Sequence, residues 1–181
     1  MRLRQKINET FSSIAQNIIN LGISLNQNAV KDIYLEIHPF GKLRDIFDNL
    51  GFRHLPVSTL DFNYAFTNEA TAMKIWDQIV LFTTKLMYIV DYWDCDNFAH
   101  LAGILGGLLY KLNTIGVAYG TVYDSRTGAL IGRHYFNIFA TSEGKLFCGE
   151  PINGHIQEIE RGIPIITPYG WEYKIESVRF F

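Results

Sequence analysis

A cysteine, a histidine and a glutamate follow one another in an order that suits nucleophilic acyl transfer. Cys95 falls where the chain enters an apolar stretch rich in small residues, read as a helix to about Lys111. At a helix N-terminus the exposed amides and the dipole favour a thiolate over a thiol. His134 follows 39 residues later at the start of an expected strand, and Glu150 follows 16 after that, just past the end of the next strand. On the strand period of two, Leu146, Cys148 and Glu150 share a face, and a hairpin centred on Ser142 sets His134 directly opposite Glu150. In such a set the Cys95 thiolate attacks a carbonyl carbon, and His134 shares the thiol proton and delivers one to the leaving group. Glu150 fixes the imidazole tautomer, and the backbone amide of Cys95 helps hold the oxyanion. Blander readings stand beside this one. Cys95 can be a small buried hydrophobe, and His134 a core histidine whose strand face continues with Phe136 and Ile138. Cys148 reads as core, with a Cys95–Cys148 disulfide left open as a way of shutting the site.

Asp91, Asp94 and Asp96 crowd the proposed thiolate, and nearby negative charge disfavours another. A hard cation held by those oxygens would remove the penalty. Calcium suits them, with backbone and water completing its roughly six to eight ligands. The structural alternative is that Asp94 caps the helix and Asp96 complements its dipole. His38, His54 and His155 lack ligand spacing, so zinc is not expected. His100 lies about 140° round the helix from Cys95. Gly106-Gly107 lacks the ending of a phosphate loop, and no organic cofactor is expected. Tyr88, Tyr92 and Trp93 could line a cleft beside Cys95 or belong to the core.

The elements that must position these residues are legible from period and texture. Ile7, Phe11, Ile14, Ile18 and Leu21 mark one face of a helix ending near Gly22, packed on its own domain or joining two copies of the chain. Residues 22–66 show one short helix near 41–50 with loops on either side. A second helix is expected from Thr67 to about Val90, with Ala72, Ile75, Ile79, Phe82, Leu86 and Ile89 inward. The small residues Ala99, Ala102, Gly103, Gly106 and Gly107 imply close approach of a sheet to the third helix. After Asn113 the texture becomes β, with strands expected at Ile115–Tyr123, His134–Thr141, Lys145–Gly149, Ile163–Thr167 and Glu172–Phe181. Helices first and an antiparallel sheet second is an α+β arrangement. The expected organisation is one domain over 1–181: an extension to 66, helices over 67–112, and sheet over 113–181.

The 181 residues suffice for one sizeable core, and 48% apolar with 19% charged residues describes a folded chain. A formal net charge of −2 argues against a dedicated nucleic-acid binder. No apolar run reaches the roughly 20 residues of a membrane span, and no secretory signal is expected at the start. Two cysteines cannot build a disulfide framework, so a reduced, cytoplasmic setting is expected.

The stretch Asp94-Cys95-Asp96-Asn97-Phe98-Ala99, with His134 and the Glu150-Pro151 step downstream, resembles papain-like and transglutaminase-like cysteine proteases. It is similar to the papain-like domain of the Marasmius oreades agglutinin and its phage and bacterial relatives. The likeness covers roughly residues 70–160. It implies a papain-like fold, a Cys95–His134–Glu150 triad, calcium dependence and a peptide or protein substrate. Asn97 departs from the family's second acidic residue, and the agglutinin's sugar-binding trefoil has no counterpart here. The expected function is therefore a small cysteine hydrolase. A cell-wall amidase or endopeptidase is the alternative enzyme, and an inactive phage or bacterial interaction module the alternative of another class.

Overall fold

The computed structural model describes residues 33–86, 88 and 94–180. The expected N-terminal helix with its possible dimer seam, together with Ile89, Asp91, Tyr92 and Trp93, lies outside the described residues. In chain order the elements are β1 (Glu36–Pro39), α1 (Phe40–Asn49), β2 (Val57–Thr59), β3 (Asn63–Phe66), α2 (Glu69–Thr83), α3 (Cys95–Tyr110), β4 (Ile115–Asp124), β5 (Leu130–Ala140), β6 (Leu146–Gly149), β7 (Ile156–Glu158), β8 (Ile165–Ile166) and β9 (Trp171–Phe180). The principal sheet runs β2-β9-β4-β5-β6-β7, with β8 added alongside β9, while β1 and β3 pair separately. The fold class is α+β as expected, but the sheet is mixed: β2 joins β9 in parallel, and the other ladders are antiparallel.

β5 is buried continuously from Phe136 to Ala140 because the sheet is covered on both faces. On one face Phe136, Ile138 and Ala140 join Leu146 and Cys148 of β6, Ala118 and Val122 of β4, and Tyr173, Val178 and Phe180 of β9. Leu43, Ile46 and Phe47 of α1 and Tyr64 and Phe66 of β3 cover this face. On the other, Asn137 reaches Ala99 of α3, and Phe139 stacks on Trp76 of α2 with ring centroids 5.3 Å apart. The stretch Glu36–Phe66, which periodicity leaves as one helix among loops, thus supplies three strands and part of the core.

The helix expected over 67–90 is shorter, Glu69–Thr83. Asn68 caps it by accepting from the Thr71 amide at 2.8 Å. It stops where the hydroxyls of Thr83 and Thr84 both donate to the Val80 carbonyl and the chain turns. Leu86, expected inward on that helix, lies beyond its end and is half-buried. The small-residue stripe of α3 meets the sheet as expected at Gly106, where a Cβ would stand 2.8 Å from Ile115 Cδ1. Around Gly107 the space is open.

Candidate active site

Cys95 is the first residue of α3, half-buried, with Asp94 as the N-cap. Asn97 completes a capping box by accepting from the Asp94 amide at 3.2 Å, and its own amide donates to Asp96 Oδ1 at 2.8 Å. These local bonds fix the first turn, and so fix where Sγ leaves the helix. The thiol opens into a cleft of about 470 Å³ lined by Asp94, Asp96, Asn97, Tyr119, Arg133 and Tyr135. Arg133 lies over the Tyr119 ring at 5.6 Å, and Tyr119 and Tyr135 face each other in the β4–β5 register with centroids 4.8 Å apart. Tyr88, by contrast, stacks on Phe98 and is exposed.

His134 is a mid-strand residue, because β5 begins four residues earlier, at Leu130, than the texture suggests. Both Glu150 oxygens lie within reach of its Nε2, at 2.9 and 3.0 Å. Nε2–H therefore donates to the carboxylate, which leaves Nδ1 free of it, and Cys95 is the imidazole's other interacting neighbour. The imidazole is 15% exposed and the Glu150 side chain 4%. Burial by itself pulls the His134 pKa down. The hydrogen bonds to Cys95 and Glu150, with their negative charge, outweigh it and push the pKa up to about 9. The structure thus brings Cys95, His134 and Glu150 together.

The register that the sequence suggested for His134 and Glu150 is corrected by two residues. β5 and β6 pair Asn137 with Gly149 and Ile138 with Cys148, so the hairpin is centred on Glu143 rather than Ser142. A shift of two keeps every side chain on its face. Glu150 lies just beyond the ladder, and its carboxylate reaches back to His134. It can do so because its turn is clamped: Gly154 N–H donates to the Glu150 carbonyl, and the Glu150 amide to the His155 carbonyl. α2 holds the turn from outside. Thr83 Oγ1 donates to the Pro151 carbonyl, and a Cβ on Gly149 would stand 2.5 Å from the Trp76 ring.

Two further residues of this site are silent in the sequence. Asn137 is fully buried and donates through Nδ2 to the carbonyls of Ala99 at 2.9 Å and Gly116 at 3.1 Å, tying the Cys95 helix to the sheet. Tyr173 of β9 packs its ring 5.5 Å from the imidazole. Burial first, then the charge of Glu150, raises the Tyr173 pKa, so the phenol keeps its proton. Their only signals were an amide inside an apolar strand and a tyrosine in a partly alternating one. Cys148 is buried in the core, where burial and the Glu150 charge push its thiol well above the ordinary value. Both cysteines are free.

Of the expected calcium ligands Asp91, Asp94 and Asp96, only Asp94 and Asp96 fall among the described residues. Asp94 and Asp96 are engaged with each other and with the first turn of α3, and their mutual hydrogen bond holds Asp96 below the usual carboxylate range. No group of three or more His, Cys, Asp or Glu that could hold a metal occurs among the described residues, and Asp91 lies outside them. His100 donates to the Asp96 carbonyl at 2.7 Å.

This architecture, with the thiol at the head of a helix against a sheet that carries the imidazole, is the papain-like fold. A Polyporus squamosus lectin, solved with the human-type influenza-binding epitope Neu5Aca2-6Galb1-4GlcNAc, matches with a TM-score of 0.55 and 14% identity over 80% of this chain. A PSL1a–E64 complex matches with a TM-score of 0.52 and 18% identity, again over 80% of this chain. This chain spans about half of each of those chains, 49% and 50%. No protein-family model matches the sequence, and no curated protein is significantly similar to it.

Proposed function

We propose that the chain is a papain-like cysteine hydrolase acting on peptide or related amide bonds. The observation that carries this is one imidazole held between a buried carboxylate and a thiol that opens into a cleft. Cys95 is the nucleophile: Sγ bonds to the carbonyl carbon while the oxyanion is held at the N-terminus of α3. His134 gives its Nδ1 proton to the leaving nitrogen as the C–N bond breaks, and then takes one from the water that hydrolyses the thioester. Glu150 keeps the proton of the other ring nitrogen on Nε2, so that Nδ1 faces the thiol throughout. The solved PSL1a–E64 complex supports E64 as the choice of probe.

The test is intact-protein mass spectrometry after incubation with E64, followed by peptide mapping. We expect one adduct, on Cys95, at a rate that collapses in His134→Ala, with Cys148 unlabelled until the chain is unfolded. Labelling of Cys95 no faster than a free cysteine, and unchanged by His134→Ala, overturns the proposal. Casein and purified peptidoglycan then distinguish a general protease from a cell-wall enzyme.

A further inference from the structure

We propose that Arg133 is the specificity residue of the cleft, binding a substrate carboxylate that lies beside the scissile bond. The inference rests on the reading of Cys95 as the nucleophile and goes beyond it to the class of substrate. The carboxylate is that of an aspartate or glutamate side chain, or that of a peptide's own C-terminal end. Arg133 immediately precedes His134, and strand alternation turns the two side chains to opposite faces of β5. Arg133 and Tyr135 therefore share the face on which Asn137 reaches Ala99 of α3. With Tyr119 they line the same cleft as Cys95, about 470 Å³, the size of a small-ligand pocket rather than of a protein interface. The sheet wall of that cleft thus carries a cation, while the helix wall carries Asp94 and Asp96.

Arg133 has donors to offer. Its guanidinium lies over the Tyr119 ring at 5.6 Å, and Tyr119 is braced by Tyr135 opposite it, with centroids 4.8 Å apart. Stacking holds the flat group through its face and uses none of its N–H groups. Among the described residues no carboxylate or carbonyl takes them up. The fork suits two parallel bonds with a carboxylate, which distinguishes arginine from a point charge. The acidic residues across the cleft form no ion pair with it. Both turn to the Asn97 amide at the head of α3, Asp94 in the capping box and Asp96 through Oδ1 at 2.8 Å. Helix-end amides and the dipole offset their charge, so a cationic substrate group gains less there than a carboxylate gains at Arg133. Their residual charge repels a carboxylate from the helix wall and directs it to the sheet wall.

The test uses thiol reagents that differ only in a carboxylate. The first pair is the α-amides of iodoacetyl-glutamate and iodoacetyl-glutamine; the second is iodoacetyl-glycine and iodoacetyl-glycinamide. Rates of Cys95 alkylation are followed by mass spectrometry in the full wild-type chain, in Arg133→Gln and in Arg133→Lys. Taking the ratio of acid to amide within each protein cancels any change in the thiol itself. We expect at least one acid to react about tenfold faster than its amide in the wild type. That is the low end for a hydrogen bond to a charged group, because Arg133 is exposed. The preference should shrink at about 0.5 M salt and fall below about twofold in Arg133→Gln. It should survive in part in Arg133→Lys, which keeps the charge without the fork. A preference within the first pair identifies an acidic side chain as the ligand, and within the second a chain end. No preference for either acid, or one that persists in Arg133→Gln, overturns the inference. So does faster labelling by the α-amide of iodoacetyl-arginine than by the acids, which would make Asp94 and Asp96 the recognition groups. Failure of the hydrolase reading shows separately, as an iodoacetamide rate that His134→Ala leaves unchanged.

Discussion

Replacing Glu150 by glutamine keeps the shape and an acceptor for the imidazole but removes the charge, and the consequence can be worked through. His134 in an unfolded chain has a pKa of about 6.5. In the folded protein it is pushed up to about 9 against the pull of burial. The folded value is the higher one, so the stabilisation is complete below about pH 6.5 and is lost as the pH rises through about 9. That interval corresponds to about 3 kcal/mol, and both side chains are buried enough for solvent screening to be slight. In Glu150→Gln the carboxylate's hydrogen bond and charge are lost while burial remains, so the imidazole pKa should fall back toward its unfolded value of about 6.5. Urea denaturation of the two proteins at pH 6, 7.5 and 9 reads the difference, with an NMR titration of His134 beside it. The expected result is a wild-type protein whose stability declines across this window, and a variant that is less stable at pH 6 and nearly flat. Cys95 is present in both, so the difference between them reports Glu150. A variant with the wild-type slope and a His134 titration still near 9 refutes the reasoning.

Two substitutions test how the site is held. Gly149→Ala places a Cβ 2.5 Å from the Trp76 ring, a core side chain with little room to give. A loss of about 1–3 kcal/mol in urea denaturation is expected, together with slower Cys95 alkylation as the Glu150 turn shifts, whereas unchanged values would show that α2 does not clamp the turn. Asn137→Ala strips the donor from the Ala99 and Gly116 carbonyls in a fully buried place. It should cost about 2–4 kcal/mol by denaturation, and a loss under 0.5 kcal/mol would show that the bridge between α3 and the sheet is idle.

What could be read from the residues follows the range of the interactions involved. The start of α3 is local: Asp94 caps, Asn97 closes the box, and the apolar stripe begins, so Cys95 was placeable at a helix head. Asn97, a departure from the resembled motif, is explained by that box. The hairpin carrying His134 and Glu150 was legible in kind but two residues out in register. A turn centred on Glu143 and one centred on Ser142 use the same residues, and only the full β4–β5–β6 ladder chooses between them. Parity survives such a slip, which is why the correct face was expected from the wrong pair. β1, β2 and β3 escaped because strands of three or four residues carry too little period, and β2 owes its existence to Val178, Arg179 and Phe180 at the far end of the chain.

The sequence by itself determined the order Cys95, His134, Glu150, the helix head beneath the thiol and the strand texture around the imidazole. Those follow from capping chemistry and from repeats of two and 3.6 residues, each felt within a few positions. Tertiary structure alone decided that Glu150 reaches Nε2, that Asn137 straps α3 to the sheet, and that the Tyr173 ring packs beside the imidazole. Their partners stand 16, 38 and 39 residues away. At such separations side chains meet only through strand pairing and layer packing, and the burial that makes each of these contacts matter exists only once the whole sheet has closed.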